Sequence, residues 1–460
     1  MDGVKTRMAL SRRMMVRLGA SLAAVTGGGL ALTACGASSG APGSAGGTGD
    51  ANKALAPATL RFHHRGGQPG VGQEPTLYQE QIPLFQAKNP NIKIVDEGFT
   101  GEDYYTKITV LSAGGTLGDV MWTSVGGGGI YNLVAQKMLV ALDPIVARDK
   151  FDLAQYYKGC IDGMKRDGKL YGIPFKAHPG VGPLYYNQTE FERSGGGVPD
   201  KSWTLDRFID AAKRVSKPNE GIYGYFPATT QKAILTFTRS FGGELLDAEG
   251  KKSLLNSPQA IAAITWMYEA FNKHNIAPQP KVVTANMQNP DLGFVNGKIL
   301  SGKWGTSFQN VAQNQVKDSF KWFAAIHPKG PGGVPGSDYE IDADSITQVS
   351  KFPDQSFQWV KWLTNQESGI RLGEIGGTIG GRPDVYKSER ILKDPIRKVF
   401  LEAMETAQPG RALYNTRMGE YEKEIQDSLL PVFNGEQQPS KSFLDDLTRK
   451  VQVILDRPLP

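Results

Sequence analysis

Only two cysteines, Cys35 and Cys160, occur in 460 residues, so no disulfide framework holds this fold together and its stability must rest on buried apolar surface. Histidine is scarce as well, with five. His63 and His64 are neighbours on a β-prone segment and so point to opposite faces, and no cysteine or second histidine pair stands with them at metal-ligand spacing; no metal and no cofactor are expected. A P-loop is missing too. The run Gly126 to Gly129 lacks the Lys and Ser/Thr that would follow in a phosphate cradle, which argues against nucleotide hydrolysis and for a loop at the mouth of a cleft. The most apolar stretch near the start, Leu18 to Leu32, is interrupted by Ser21, Thr26 and Gly27 to Gly29, and falls short of the ~20 apolar residues that a membrane span needs. Charge blocks and internal repeats are absent.

What stands at the front is an address. Arg7, Arg12, Arg13 and Arg17 precede that moderately apolar run, the layout of an export signal. Ser11-Arg12-Arg13 before Met14-Met15-Val16 resembles the twin-arginine pattern, and Leu32-Thr33-Ala34-Cys35 resembles a bacterial lipobox whose cysteine carries lipid and becomes the first mature residue. Residues 1–34 are therefore expected to be a lipoprotein signal peptide. Lys5 and the four arginines against Asp2 account for four of the six net positive charges, and the remainder, near +2, is too small and too evenly mixed for a nucleic-acid partner. Residues 35–57, rich in Gly, Ser, Ala, Pro and Thr, read as a flexible tether.

Beyond the tether the chain alternates strands and helices. ATLRFH (58–63), Ile92 to Val95 and Asp119 to Ser124 are β-prone, and a helical stretch at Leu77 to Lys88 separates the first two, the rhythm of a βαβ unit. Thr204 caps a helix carrying Leu205, Phe208, Ile209, Ala212 and Val215, and Ser257-Pro258 opens another with Ile261, Ile264, Tyr268 and Phe271. Phe357, Val360, Trp362 and Leu363 mark a further one, so the fold class is α/β throughout. Trp203, Trp266, Trp359 and Trp362 belong to such helices and are expected to pack.

Nine segments, FQAKNPNIKIV (85–95), SAGGTLGDV (112–120), DGKLYGIPF (167–175), YYNQTEF (185–191), WTLDRF (203–208), FGGELLDAEGKKSLLNSPQAI (241–261), FVNGKILSGKW (294–304), the helix with Trp359 and Trp362, and IGGRPDVY (379–386), follow one another in an order that resembles the extracellular solute-binding proteins of bacterial ABC importers, in the sugar-binding group that includes maltose-binding protein. Two positions depart from the pattern: Gly118 replaces the usual proline before Asp119, and His63 an aromatic of the first strand. The resemblance implies a two-lobe, type II periplasmic-binding-protein-like fold with a ligand cleft between lobes joined by a hinge of several crossings. It assigns 58–178 and 305–350 to an N-terminal lobe, and 179–304 and 351–460 to a C-terminal lobe. It further implies a monomeric receptor, not an enzyme, that takes a carbohydrate, meets the permease subunits of an importer, and is held on the outer face of the membrane through lipid on Cys35.

Ligands in open α/β sheets lie beyond the carboxyl ends of strands, and with the family pattern this selects His64, Arg65, Trp122, Ser124, His178 and Asp342 in the first lobe or hinge, and Tyr185, Trp304 and Arg382 in the second. Trp122 and Trp304 are flat aromatics suited to a sugar face, while His64, Arg65, Asp342 and Arg382 suit paired hydroxyls. Trp304→Ala is on this reading expected to weaken ligand binding and leave the fold intact. The abundance of His63, His64, Arg65, His178 and Arg382 also suits an anionic ligand such as a sugar acid or sugar phosphate. An exported glycan hydrolase would need two facing carboxylates, for which Glu102-Asp103 or Asp342 and Asp344 are the candidates.

Overall fold

The computed structural model describes residues 55–66, 73–101, 103–126, 129–376, 378–411 and 415–458. Cys35, the pair Arg12-Arg13, the tether as far as residue 54 and Glu102 lie outside the described residues. The principal elements begin with β1 (Ala58–His64), α1 (Gln73–Lys88), β2 (Ile92–Gly98), α2 (Tyr104–Ala113), β3 (Val120–Ser124), β4 (Ile173–Pro179) and β5 (Pro183–Asn187). They continue with α3 (Leu205–Val215), α4 (Gln231–Ser240), α5 (Pro258–Asn272), β6 (Ser301–Lys303), α6 (Phe308–Gln315), β7 (Trp322–Ile326) and β8 (Asp338–Ile346). The last are α7 (Pro353–Leu363), α8 (Pro395–Thr406), β9 (Gln408–Pro409), α9 (Met418–Phe433) and α10 (Lys441–Leu455).

The larger sheet grows from the expected βαβ unit. β1 lies between β2 and β3 and runs parallel to both, with Ala58 opposite Ile92 and Phe62 opposite Val120. β8 joins antiparallel to β3, placing Asp342 opposite Ser124, and β4 runs antiparallel along the other edge of β8, placing His178 opposite Glu340. β1 is held at its centre because Leu60 and Phe62 are fully buried; Phe62 meets Tyr78 of α1 edge-on at 5.0 Å and Trp359 of α7 at 5.7 Å. The smaller sheet is β6-β5-β7, all antiparallel, and its alternation divides two faces. Leu184 and Tyr186 enter one core with Trp203, Phe208, Phe237, Met267 and the helices α9 and α10, while Tyr185 faces the other way, toward Phe308, Trp322 and Phe400. The expected caps form: Thr204 accepts from Arg207 N, and Ser257 from Ala260 N, with Pro258 in the first turn of α5.

The chain is shared between the two sheets differently from the expected lobe division. Residues 305–337 were assigned to the first lobe, yet β7 finds its partner in the edge of β5 and belongs to the small sheet. Residues from 351 were assigned to the second lobe, yet α7 packs on the large sheet, because Trp359 fills the space between Phe62 and Phe85. Only the last helices, α9 and α10, complete the second core. The expected tether also ends slightly early, since Gln355 donates to the Ala56 carbonyl at 2.9 Å.

Three segments therefore cross between the bodies: 179–183, 326–338 and the stretch after β9. At the first two crossings Gly180 N donates to Asp338 O at 2.9 Å, and a Cβ at Gly180 would lie 2.3 Å from the Asp338 carboxylate, so the close approach requires glycine. Arg239, near the end of α4 and 7% exposed, staples the crossings together. One of its terminal nitrogens donates to the carbonyls of Ser337 and Gln408, each at 2.9 Å, the other to that of Pro409, and its Nε binds Glu244. Arg239→Ala should lower the unfolding free energy by about 3 kcal/mol, since it strands a half-buried carboxylate and three carbonyls. Equilibrium urea denaturation measures this, and a change within about 0.5 kcal/mol would contradict the role.

Candidate functional site

Sheet direction decides where a site can form. With β1 and β3 parallel, β8 antiparallel to β3, and β4 antiparallel to β8, one end of the large sheet carries the residues after β1, the residues after β3, the end of β4 and the beginning of β8. Facing that end from the second body are the first turn of α4, opened by a Thr230 cap, and the outward side of α9. Between them lies a narrow, partly open cavity of about 50 Å³. Val125, Gly126, Tyr131, Asp338, Tyr339 and Glu340 form one wall, and Gln231, Lys232, Leu235, Arg411, Met418 and Glu422 the other.

An ion pair between Lys232 of α4 and Glu340 of β8 links the two walls. Burial pushes the Asp338 carboxyl up to about 6, reinforced by Glu340 and opposed by Lys232, Arg239 and Lys303. Glu422 is raised by burial and by Glu340, with Lys232 opposing. Behind Asp338, the Lys303 ammonium is 1% exposed and donates to the Gly336 carbonyl at 3.0 Å; burial brings it down to about 7.

A second charged cluster sits in the first body beside the cavity. Lys176 Nζ lies against Glu74 and 2.8 Å from Asp342, and Arg65 stands 3.8 Å from Glu74 and 3.7 Å from Asp342 with its guanidinium 4.4 Å above the Trp122 ring. Burial alone would lower the Lys176 ammonium, but Asp342 and Glu74 outweigh it and raise it, so this lysine stays charged.

The structure brings five of the expected residues to this end of the large sheet: Arg65, Trp122, Ser124, His178 and Asp342. Their polar groups are largely engaged. Trp122 is 1% exposed under Arg65 and meets Tyr104 edge-on, Ser124 Oγ is 3.0 Å from the Tyr105 hydroxyl, and Asp342 is paired with Lys176. His178 Nδ1 is 3.4 Å from the Pro179 carbonyl, and burial lowers its imidazole to about 4, which leaves it neutral.

Four expected residues go elsewhere. His64 is buried beneath α1, with Nε2 2.7 Å from Asp96 and its ring 4.6 Å from Tyr78. Tyr185 is fully buried, and its hydroxyl donates to the Gly305 and Thr306 carbonyls. Trp304 is stacked on Phe308 at 4.3 Å and 8° and lies close to Gly302, where a Cβ would come within 2.2 Å of the ring. Arg382 makes a two-point contact with Asp384 at 2.9 and 2.6 Å and covers Tyr156, which braces its loop. His63 is also committed, 3.1 Å from Glu97 and accepting from Gly118 N at 2.8 Å. For the hydrolase candidates, Asp342 is paired, and Asp344 is 0% exposed with burial raising its carboxyl far above the carboxylate range; neither lines the cavity.

Sequence reasoning missed Lys232, Glu340, Arg411 and Glu422. Glu340 shares a strand face with Asp342 two positions on, so the alternation was visible and the point at which β8 enters the cleft was not. Glu422 and Lys232 line the same cavity although 190 residues of chain separate them, a relation carried only by the tertiary fold. Trp304 is partly buried and packs against both hydrophobic cores. Trp304→Ala should lower the unfolding free energy of the ligand-free protein by about 3 kcal/mol, read as a fall in melting temperature, and an unchanged melting temperature would contradict that placement.

The fold is shared with solved binding proteins. The sugar-binding protein MalE from Xanthomonas citri superposes with a TM-score of 0.74 at 19% identity, covering 86% of this chain and 97% of that one. An ABC substrate-binding protein from Listeria monocytogenes in complex with cycloalternan gives 0.73 at 19% identity over 86% and 98%. These matches show the type II periplasmic-binding-protein architecture. In sequence, a lactose-binding protein of Rhizobium radiobacter is 24% identical over 259 residues, 55% of this chain and 58% of that protein. The putative periplasmic-binding protein YcjN of an ABC transporter in Escherichia coli is 25% identical over 195 residues, 40% of this chain and 43% of that protein. The chain thus spans about half the length of the relatives it matches. The family model for bacterial extracellular solute-binding proteins matches residues 70–370, well over half of the sequence, and the chain belongs to that family.

Proposed function

We propose that this protein is a lipid-anchored receptor that captures a carbohydrate in the cleft between its two bodies and delivers it to the permease of an ABC importer. The observation that carries the reading is the cavity itself, walled by both bodies at the carboxyl ends of strands and spanned by Lys232 and Glu340. Carboxylates and planar amides such as Gln231 are the groups that take paired hydroxyls, and Tyr131 and Tyr339 offer ring surface beside them. The names of the related proteins, lactose-binding, sugar-binding or in complex with cycloalternan, support the same ligand class. A ligand that contacts both walls favours the closed arrangement, and the closed arrangement presents one continuous surface that a permease can tell from the open one. The anionic-ligand alternative keeps less support, because His63, His64 and Arg382 are each held by a carboxylate of this chain.

On this reading the lipid on Cys35 and the linker to residue 57 hold the receptor close to its importer and raise their effective concentration. One acyl chain anchors only marginally, so the cysteine is expected to carry more than one. No helix among the described residues is long and apolar enough to cross a membrane.

Lactose, maltose, maltodextrins and monosaccharides should be screened by thermal shift on the purified protein. A true ligand at a hundred times its Kd raises the unfolding free energy by about 2.7 kcal/mol; the absence of a shift with every sugar would overturn the ligand class. Cys35→Ser should move the protein from the membrane fraction into the medium, and continued membrane retention would remove the lipid anchor.

A further inference from the structure

The charges lining the cavity are Asp338, Glu340, Glu422, Lys232 and Arg411. The two cations are already in use. Lys232 is paired with Glu340, and the Arg411 guanidinium donates to the Leu246 carbonyl. Of the three carboxylates, Glu340 alone has an ion-pair partner among the described residues. Asp338 is 3% exposed, and its Oδ1 is buried without a hydrogen-bond partner. The other cations near Asp338 are committed as well: Arg239 to Glu244 and three backbone carbonyls, and Lys303 to the Gly336 carbonyl. Glu422, half-buried on the opposite wall, makes no hydrogen bond or ion pair among the described residues. Two carboxylates on facing walls thus border the same small space, and although Lys232, Arg239 and Lys303 offset part of their charge, neither has an ion-pair partner among the described residues.

Burying a carboxylate without a directly paired cation is costly in a protein, and closure of the cleft deepens that cost. A neutral hydroxyl offers such a group a hydrogen bond and leaves its charge in place. An ammonium offers up to three donors and cancels charge.

Resting on the carbohydrate reading above, we propose that the solute this cleft is built for carries a protonated amine, as in an amino sugar or a basic glycoside, and that Asp338 and Glu422 receive its ammonium from opposite walls. The raised proton affinities of both carboxyls agree, since a bound cation reverses the environment that raises them.

The test is calorimetric titration of the purified full-length chain with glucose, galactose and chitobiose-type disaccharides, each as the neutral sugar, the free 2-amino form and the N-acetylated amine. The last matches the amino form in position and removes its charge. The free amine should bind at least tenfold more tightly than the other two forms, and Glu422→Gln should reduce that ratio toward one. Glu424→Gln should keep the ratio, because Glu424 lies outside the cavity and is paired with Lys450. Neutral or N-acetylated forms that bind as well as the free amine would overturn this inference and leave the carbohydrate reading standing. A Glu422→Gln variant that binds all three forms with the parent's ratio would also overturn it. If no form binds, the carbohydrate reading fails and this inference falls with it.

Discussion

Arg239 is the constraint on which the rest of the molecule depends. A single buried guanidinium, balanced by Glu244, binds the backbone of two segments that pass between the bodies, so the sheets meet along one fixed line. A lysine carries one point of charge and has no planar fork to reach Ser337, Gln408 and Pro409 together. The cavity lies beside this line, and Asp338 belongs to both, with its carbonyl receiving Gly180 at the crossing and its side chain lining the site.

From that arrangement comes a division between charges that hold the first body together and charges left for a ligand. The group of Arg65, Glu74, Lys176 and Asp342 is almost self-sufficient, and its members satisfy one another within the same sheet and the helix that covers it. Along the cleft one ion pair joins the two walls, Arg411 is held by the Leu246 carbonyl, and Asp338 and Glu422 have no ion-pair partner among the described residues. A rigid lower layer that positions a less satisfied upper one is a sound way to keep recognition groups in place without filling the space they serve.

Much of the fold could be read from the chain. Thr204, Ser257 and Pro258 announced their helices, ATLRFH and its successor gave the parallel core, and the ordered motifs pointed to two α/β bodies. The site was legible only in part. Strand ends were placed well enough to put Arg65, Ser124 and His178 at the end of the sheet that carries the cavity, although none of them lines it, because a strand that stops in glycine or proline marks its own end. Tyr185 in YYN was misjudged, since a fully buried ring against Phe308 and a ring that meets a ligand look the same in sequence. Lys232 and Glu422 carry no local signal at all. Each is an unremarkable charged residue on a helix, and it becomes part of a site only when the other helix arrives.

The interlacing of the two bodies bears on how the chain is made. The middle of the large sheet, β8, is contributed by residues 338–346, and the second core is closed by helices that end at Leu455. A ribosome must release nearly the entire polypeptide before either half has all its parts, so β1 to β3 emerge with an unpaired edge and wait through some two hundred further codons for their neighbour. That interval, more than any weakness in the finished molecule, is when this protein is most exposed to aggregation, and it gives holding chaperones their longest window of use.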